Sequence, residues 1–222
     1  GRVQRTLLVL TDVTAIREKE QQILVKNSVI KEIHHRVKNN LNTIAGILRM
    51  QARRAENEET KEALRRAVDR ILGISQIHDI LARQSGENVD WRQLLDRLCR
   101  LSLDSLTAGC GEPLVMGSEA AVNLAIAVNE LIHNALDHGF HGLPEGRLTI
   151  SECCEDGWFH LCVRNDGHLL PEGFNAKGYD LGLQIVRTLT EIELGGSFSF
   201  GNEDGQVAAH IRCPVKRLEV TE

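Results

Sequence analysis

The chain has 222 residues, 42% hydrophobic and 26% charged, a globular balance that excludes an extended disordered polymer. Its formal net charge of −5 argues against a nucleic-acid binder, which would carry a basic face. No apolar run approaches the length of a membrane span, and with aromatics at only 4% the core must be aliphatic.

Residues 3–10 read as a strand, followed by Asp12-Val13-Thr14 and a charged helical stretch. A strand ending this way before a long helix resembles the exit of a PAS sensor domain. Residues 1–14 are assigned to its C-terminal end, and a chain opening on Gly1 reads as a fragment of a longer protein. From about residue 15 to 55 there is no proline and a single glycine, Gly46. Seam positions fall at Ile23, Asn27, Ile30, His34, Val37, Leu41, Ile44, Leu48 and Gln51, alternating steps of three and four. A helix of roughly 40 residues is about 60 Å long and must bury its seam against partners. Leu64, Ala67, Ile71, Ile74, His78 and Leu81 repeat the spacing between Glu58 and about Gln84, with a bend at Glu56–Glu59. Two such hairpins make a four-helix bundle, which predicts a homodimer held together by residues 15–86.

After Ser85-Gly86 the pattern changes. Asp90 can cap a helix starting at Trp91, with Gln93 reaching back. Ser118 is the expected cap of another, running to about Asp137. Strand-like runs at 147–154 and 158–165 follow, then a helix from Leu181 to about Glu191 and strands at 197–200 and 206–215. Mixed strands and helices over residues 87–222 predict a separate α/β sandwich, and the whole chain an α+β fold. The cysteines at 99, 110, 153, 154, 162 and 213 form no CxxC pair, so reduced thiols in a cytoplasmic protein are expected.

The stretch Glu32–Asn40 carries the first chemistry. His34 lies on the seam, facing the bundle interior. His35 is rotated about 100° from it, at a rim that solvent and a second domain can reach. An imidazole is available as a nucleophile near neutral pH. Glu32, one turn behind, can hold one ring nitrogen protonated, while Lys38 and Asn39 ahead can steady a phosphoryl group and orient a water.

His35-Arg36-Val37-Lys38-Asn39 resembles the acceptor motif of two-component sensor histidine kinases, in the subgroup reading His-Arg-x-Lys-Asn. The resemblance covers nearly everything after residue 15. It implies a bundle carrying the acceptor histidine and a GHKL (Bergerat) domain that binds ATP with Mg²⁺. Arg36 stands where the wider family has an acidic residue, which makes Glu32 the candidate acid–base partner. Glu130-Leu131-Ile132-His133-Asn134-Ala135 is similar to the family's N-box. There Asn134 is assigned to the metal, Glu130 to metal or water positioning, and His138 to a phosphate. Val163-Arg164-Asn165-Asp166-Gly167 sits where Asp-x-Gly-x-Gly is usual, so Asn165 replaces the aspartate that reads the adenine amino group and Leu169 replaces the second glycine. An asparagine can still accept from that amino group through its carbonyl. Asp180-Leu181-Gly182-Leu183 resembles the last glycine box, with Lys177 and Gly178 in the lid before it. Gly205-Gln206 replaces a Gly-Thr adenine contact. The short lid, residues 168–180, predicts modest nucleotide affinity.

The resemblance implies an ATP-dependent protein histidine kinase that phosphorylates His35 and passes the phosphoryl group to an aspartate of a response regulator receiver domain. Its partners would be a second copy and an upstream sensor, with no nucleic acid and no membrane segment in this chain. The altered glycine boxes keep an alternative open: a weakened dimeric signalling scaffold or a phosphatase-dominant module.

Overall fold

The computed structural model describes residues 14–83, 88–102, 114–174 and 181–219. The expected strand at 3–10, the PAS-like exit, Lys177, Gly178 and the Asp180 cap lie outside them.

Helix α1 (Thr14–Arg54) and helix α2 (Glu58–Ala82) form the predicted hairpin. Asn57 caps α2, its side chain accepting from the Glu59 N–H at 2.8 Å. The inner seam drifts from the expected one. Ala45 and Ala52 are buried, whereas Ile44 is 45% exposed and Gln51 is also exposed. A helix of 3.6 residues per turn slips against a seven-residue repeat, so the hairpin contact passes from Leu41 to Ala45 rather than to Ile44. Val29, Ile33 (53% exposed), Ile44 and Ile47 are thereby left on an uncovered arc of α1.

The second unit opens with strand β1 (Asn88–Asp90), helix α3 (Trp91–Ser102) and strand β2 (Val115–Gly117), which pairs antiparallel with β1. Asp90 caps α3 as expected, Oδ1 accepting from the Gln93 N–H at 3.0 Å and Oδ2 from Gln93 Nε2 at 2.9 Å. Helix α4 (Ser118–Asn134) follows and ends in a π turn, Ala135–Gly139. Its cap differs from the expectation: Gly117 holds that place and Ser118 is the first helical residue.

Strands β3 (Leu148–Glu155) and β4 (Trp158–Asn165), helix α5 (Leu181–Thr188), a π turn (Leu189–Glu193), strands β5 (Ser197–Glu203) and β6 (Gln206–Pro214), and a short helix α6 (Val215–Leu218) complete the unit. The sheet is antiparallel in the order β3-β4-β6-β5. Both of its two-residue hairpins are Asp-Gly, with Asp156 and Asp204 at φ 51° and Gly157 and Gly205 at φ 77°. Two successive positive φ values match the twist of adjoining strands, which is why Asp-Gly occurs at both places.

The inward faces of β3, β4 and β6 bury Ile150, Phe159, Leu161, Val163 and Ile211 against Leu124, Ala125, Val128 and Ile132 of α4. Trp91 packs edge-on to Phe159 with centroids 6.3 Å apart and donates from Nε1 to Glu152. The result is the two-layer α/β sandwich expected after the hairpin. Five cysteines lie among the described residues and all are free; burial pushes the Cys99 and Cys213 thiols up to about 12, which leaves them inert. No helix of the described residues is long and apolar enough to cross a membrane.

Candidate active site

Helix α4 lies along α2 and joins two clusters of polar side chains, one at each of its ends. At its start, His34 Nδ1 meets His78 Nδ1 at 2.9 Å, and His34 Nε2 meets Ser118 Oγ at 3.3 Å. His34 is buried, as its seam position predicts. The serine read as a cap is thus one of the points where the sandwich touches the hairpin.

Burial pushes the His34 imidazole below the ordinary histidine range, with the charge of His35 adding to the effect; burial and then His34 push His78 down to about 4. The folded state therefore binds fewer protons at this pair than the unfolded chain does. Its contribution is fully present above the ordinary histidine value and is lost as pH falls through it towards about 4. Thermal stability is expected to fall across that window, and His78→Gln to flatten the fall. Superimposable melting curves for wild type and variant at every pH would contradict this.

His35 is half-buried beside this cluster. Lys38 reaches across the hairpin, its Nζ donating to Asp79 Oδ1 at 2.5 Å, and Lys38 together with Arg83 holds the Asp79 carboxyl below its ordinary value. Asn39 and Glu32 are exposed. The expected Glu32–His35 contact is replaced: Glu32 Oε1 accepts from Arg36 Nε at 2.7 Å, because Arg36 sits at the favoured i+4 position and brings a charged donor. That hydrogen bond is also the main reason the Glu32 carboxyl lies below its ordinary value, with His35 a smaller influence.

At the other end of α4, Glu130 and Asn134 project one turn apart into a cavity of about 600 Å³. His133, Asp137, His138 and Leu181 line it, and α2 closes one side with Arg66, Asp69 and Arg70. The π turn presents Asp137 and His138, a use typical of π segments at functional sites. Glu130 is 3% exposed and its Oε2 pairs with Arg70 Nε at 3.1 Å. Sequence reasoning missed Arg70 and Asp79. The heptad pattern identifies the inner seam of α2 but not the domain that covers its other face.

Asn165 ends β4 with its side chain buried, and its Oδ1 accepts from the Gly167 N–H at 3.3 Å. Gly167 is a glycine of necessity, and a side chain on Gly139 would require Asn165 to shift. A Cβ on Gly139 would stand 2.7 Å from Asn165 Oδ1, and one on Gly167 only 2.1 Å from the Gly139 carbonyl oxygen. Asp166 turns away, Oδ1 accepting from the backbone N–H of Arg147, so it fastens the loop rather than facing the pocket. Gly182 and Leu183 are buried under the site, and Leu183 belongs to the core. Gln206 opens β6 on the outer face of the sheet. Register pairs Asn165 with Val207, and strand alternation turns Val207 inward and Gln206 to the outer face. Leu169 is exposed, and Leu170 is anchored by Asn202, which donates to its carbonyl and accepts from its N–H, both at 2.9 Å.

A long helical hairpin joined to an α/β sandwich, with α4 carrying Glu130 and Asn134 into a cavity, is the arrangement of a histidine kinase hairpin followed by a GHKL-type ATPase domain. Residues 32–106 match the family described as histidine kinase, and residues 119–217 that of histidine kinase-, DNA gyrase B- and HSP90-like ATPases. The chain belongs to the two-component sensor histidine kinases. It is 38% identical to the sensor histidine kinase PdtaS of Mycobacterium tuberculosis and 37% identical to PdtaS of Mycolicibacterium smegmatis, over 98% of its length in each case. It spans 45% and 46% of those two relatives, so less than half of each. Its fold is similar to the histidine kinase domain of a blue-light-activated histidine kinase from Erythrobacter litoralis. The TM-score is 0.58 at 22% identity, covering 89% of this chain and 95% of that one.

Proposed function

We propose that this chain binds ATP with Mg²⁺ in the α4 cavity, transfers the γ-phosphoryl group to His35, and passes it on to an aspartate of a response regulator receiver domain. The observation that carries the reading is the grouping of Glu130, Asn134 and His138 in one cavity of an ATPase-type domain, beside a bundle that holds His35 half-exposed. In the transfer a bond forms between an imidazole nitrogen of His35 and phosphorus, the γ-phosphorus–oxygen bond breaks, and ADP leaves. Such chemistry is mostly positioning and charge stabilisation.

The oxygens of Asn134 and Glu130, one turn apart on a cavity wall, suit a hard cation that keeps phosphate and water among its ligands. Mg²⁺ bound there would neutralise phosphate charge. His138, which lines the same cavity, would meet a phosphate oxygen. Lys38, held at the acceptor by Asp79, would meet the incoming phosphoryl group, and Asn39 is exposed where it can orient a water for the reverse, dephosphorylating reaction. Glu32 would have to exchange Arg36 for His35 to act as acid–base partner.

The acceptor and the phosphate end of the cavity lie apart. From Ser118, against His34, to Asn134 the helix rises about 24 Å. Transfer therefore needs either movement of the catalytic unit along the bundle or the acceptor of a second protomer. The arc of Val29, Ile33, Ile44 and Ile47 supports a dimeric four-helix bundle, since a stripe of this kind is buried by a second hairpin. The Arg70–Glu130 pair holds the separated arrangement. Arg70→Ala is expected to raise the initial rate of autophosphorylation several-fold with the fold intact; an unchanged or reduced rate would count against that role.

Incubation with γ-labelled ATP and Mg²⁺ tests the function. Acid-labile, alkali-stable label on the protein is the expected result, and absence of label on protein that binds an ATP analogue would favour the scaffold. Asn165 and Leu169 are the departures that motivate that second reading.

A further inference from the structure

We propose that the hairpin and the Mg²⁺–nucleotide compete for one carboxylate, so that filling the α4 cavity opens the contact between α2 and α4. The inference rests on that cavity being the nucleotide site. Glu130 is the shared group. It is 3% exposed, and a carboxylate so far from water must keep a cation beside it. In this structure the cation is Arg70 of α2, whose Nε lies 3.1 Å from Oε2 with its own side chain only 22% exposed.

The same carboxylate lines the cavity one turn from Asn134, where a hard cation bound with phosphate would draw on it. The two cations exclude each other. Arg70 stands on the α2 wall of the cavity against Glu130, and a Mg²⁺ shell of oxygens and waters has no place for guanidinium nitrogens. Two positive groups on one buried carboxylate also repel each other, with little water to screen them. Whatever factor Arg70 takes from Mg²⁺–nucleotide affinity, the bound nucleotide must take from the α2–α4 contact.

That contact has two unlike ends. Towards the C-terminal end of α2 it is apolar, with Ile77, Ile80 and Leu81 buried in the sandwich core. Burial of this kind is non-directional and tolerates a change of angle. Towards the cavity it is polar and close. A Cβ on Gly73 would stand 2.6 Å from Asn129 Nδ2, so the helices meet there with no room for a side chain. That Nδ2 is buried with no hydrogen-bond partner among the described residues, a cost that the docked form bears and an opened form loses. The Arg70–Glu130 ion pair, one turn along α2 from Gly73, works against this cost. The apolar end is therefore the pivot and the Arg70 end the latch.

Calorimetric titration with the non-hydrolysable analogue AMP-PNP, with and without Mg²⁺, tests this in wild type and in Arg70→Ala. With Mg²⁺, Arg70→Ala is expected to bind about tenfold more tightly than wild type. Without Mg²⁺ it gains nothing, because the cation removed would itself attract the phosphates. A paired variant, Gly73→Cys with Asn129→Cys, tests the coupling from the other side, since the two positions approach closely enough for a disulfide. Oxidation fastens the latch, and Mg²⁺-dependent affinity is expected to fall about tenfold and to return on reduction, which also shows that the variant is folded. Equal or weaker Mg²⁺–AMP-PNP binding by Arg70→Ala, or a disulfide without effect on affinity, would overturn the competition while leaving the nucleotide site standing. Binding of the analogue by none of these proteins would overturn the site and the inference together.

Discussion

His35→Gln is expected to lower phosphate incorporation from Mg-ATP by about a thousandfold or more, whereas His34→Gln keeps it near the wild-type level. The two histidines are adjacent in sequence but occupy different environments. His34 is buried, fixed between His78 and Ser118, and its ring nitrogens are committed to those partners. His35 sits one step around the helix, half-exposed. A nucleophile must present a nitrogen to the γ-phosphorus in line with the leaving oxygen, and only His35 can do so without dismantling the hairpin. His34→Gln should instead loosen the contact between bundle and catalytic unit, visible as a lower melting temperature with label retained. Label surviving in His35→Gln and vanishing in His34→Gln would reverse the assignment.

Asn134→Ala is expected to cut phosphate incorporation by about a hundredfold, together with Mg²⁺-dependent nucleotide affinity. Asn134 is half-exposed at the end of α4, on the wall of the cavity, so removing its amide takes away a cation ligand without opening the core. Glu130→Gln is a different perturbation. That carboxylate is buried and engaged by Arg70, so neutralising it alters both the cavity and the hold of the bundle on the catalytic unit. Comparing analogue affinity with and without Mg²⁺ in the two variants distinguishes loss of a ligand from loss of an interdomain contact. Undiminished Mg²⁺-dependent binding in Asn134→Ala would remove it from the metal site.

Much of this was legible in the sequence because period and punctuation speak directly to local structure. The long helix, its hairpin partner, the Asp90 cap and the four sheet strands all follow from spacing and capping chemistry. Strands β1 and β2 were not readable, since three residues each carry no period. The seam was readable in type but drifted in register, because a run of threes and fours fits Ile44 and Ala45 almost equally well until a partner helix chooses. The face of Gln206 was not readable for a related reason: the turn at Asp204-Gly205 fixes which residue of β6 points inward, and alternation makes a shift of one a change of face. What the sequence could not carry was the second domain's position on the bundle. Ser118 has the chemistry of a cap, and only the neighbouring His34 shows that it is spent on an interdomain contact. Arg70 and Glu130, sixty positions apart, show no sign of their pairing until α4 lies along α2.

Mapping the phosphate after incubation with Mg-ATP, with the digest kept alkaline so that a phosphorus–nitrogen bond survives, identifies the acceptor. Trypsin releases Glu32–Arg36 as one peptide, and fragmentation within it separates His34 from His35. One phosphoryl group on His35 and none on His34 is the predicted result. Phosphate on His34, on a serine or an aspartate, or on no residue of a protein that binds the nucleotide, would rule out His35 as the acceptor.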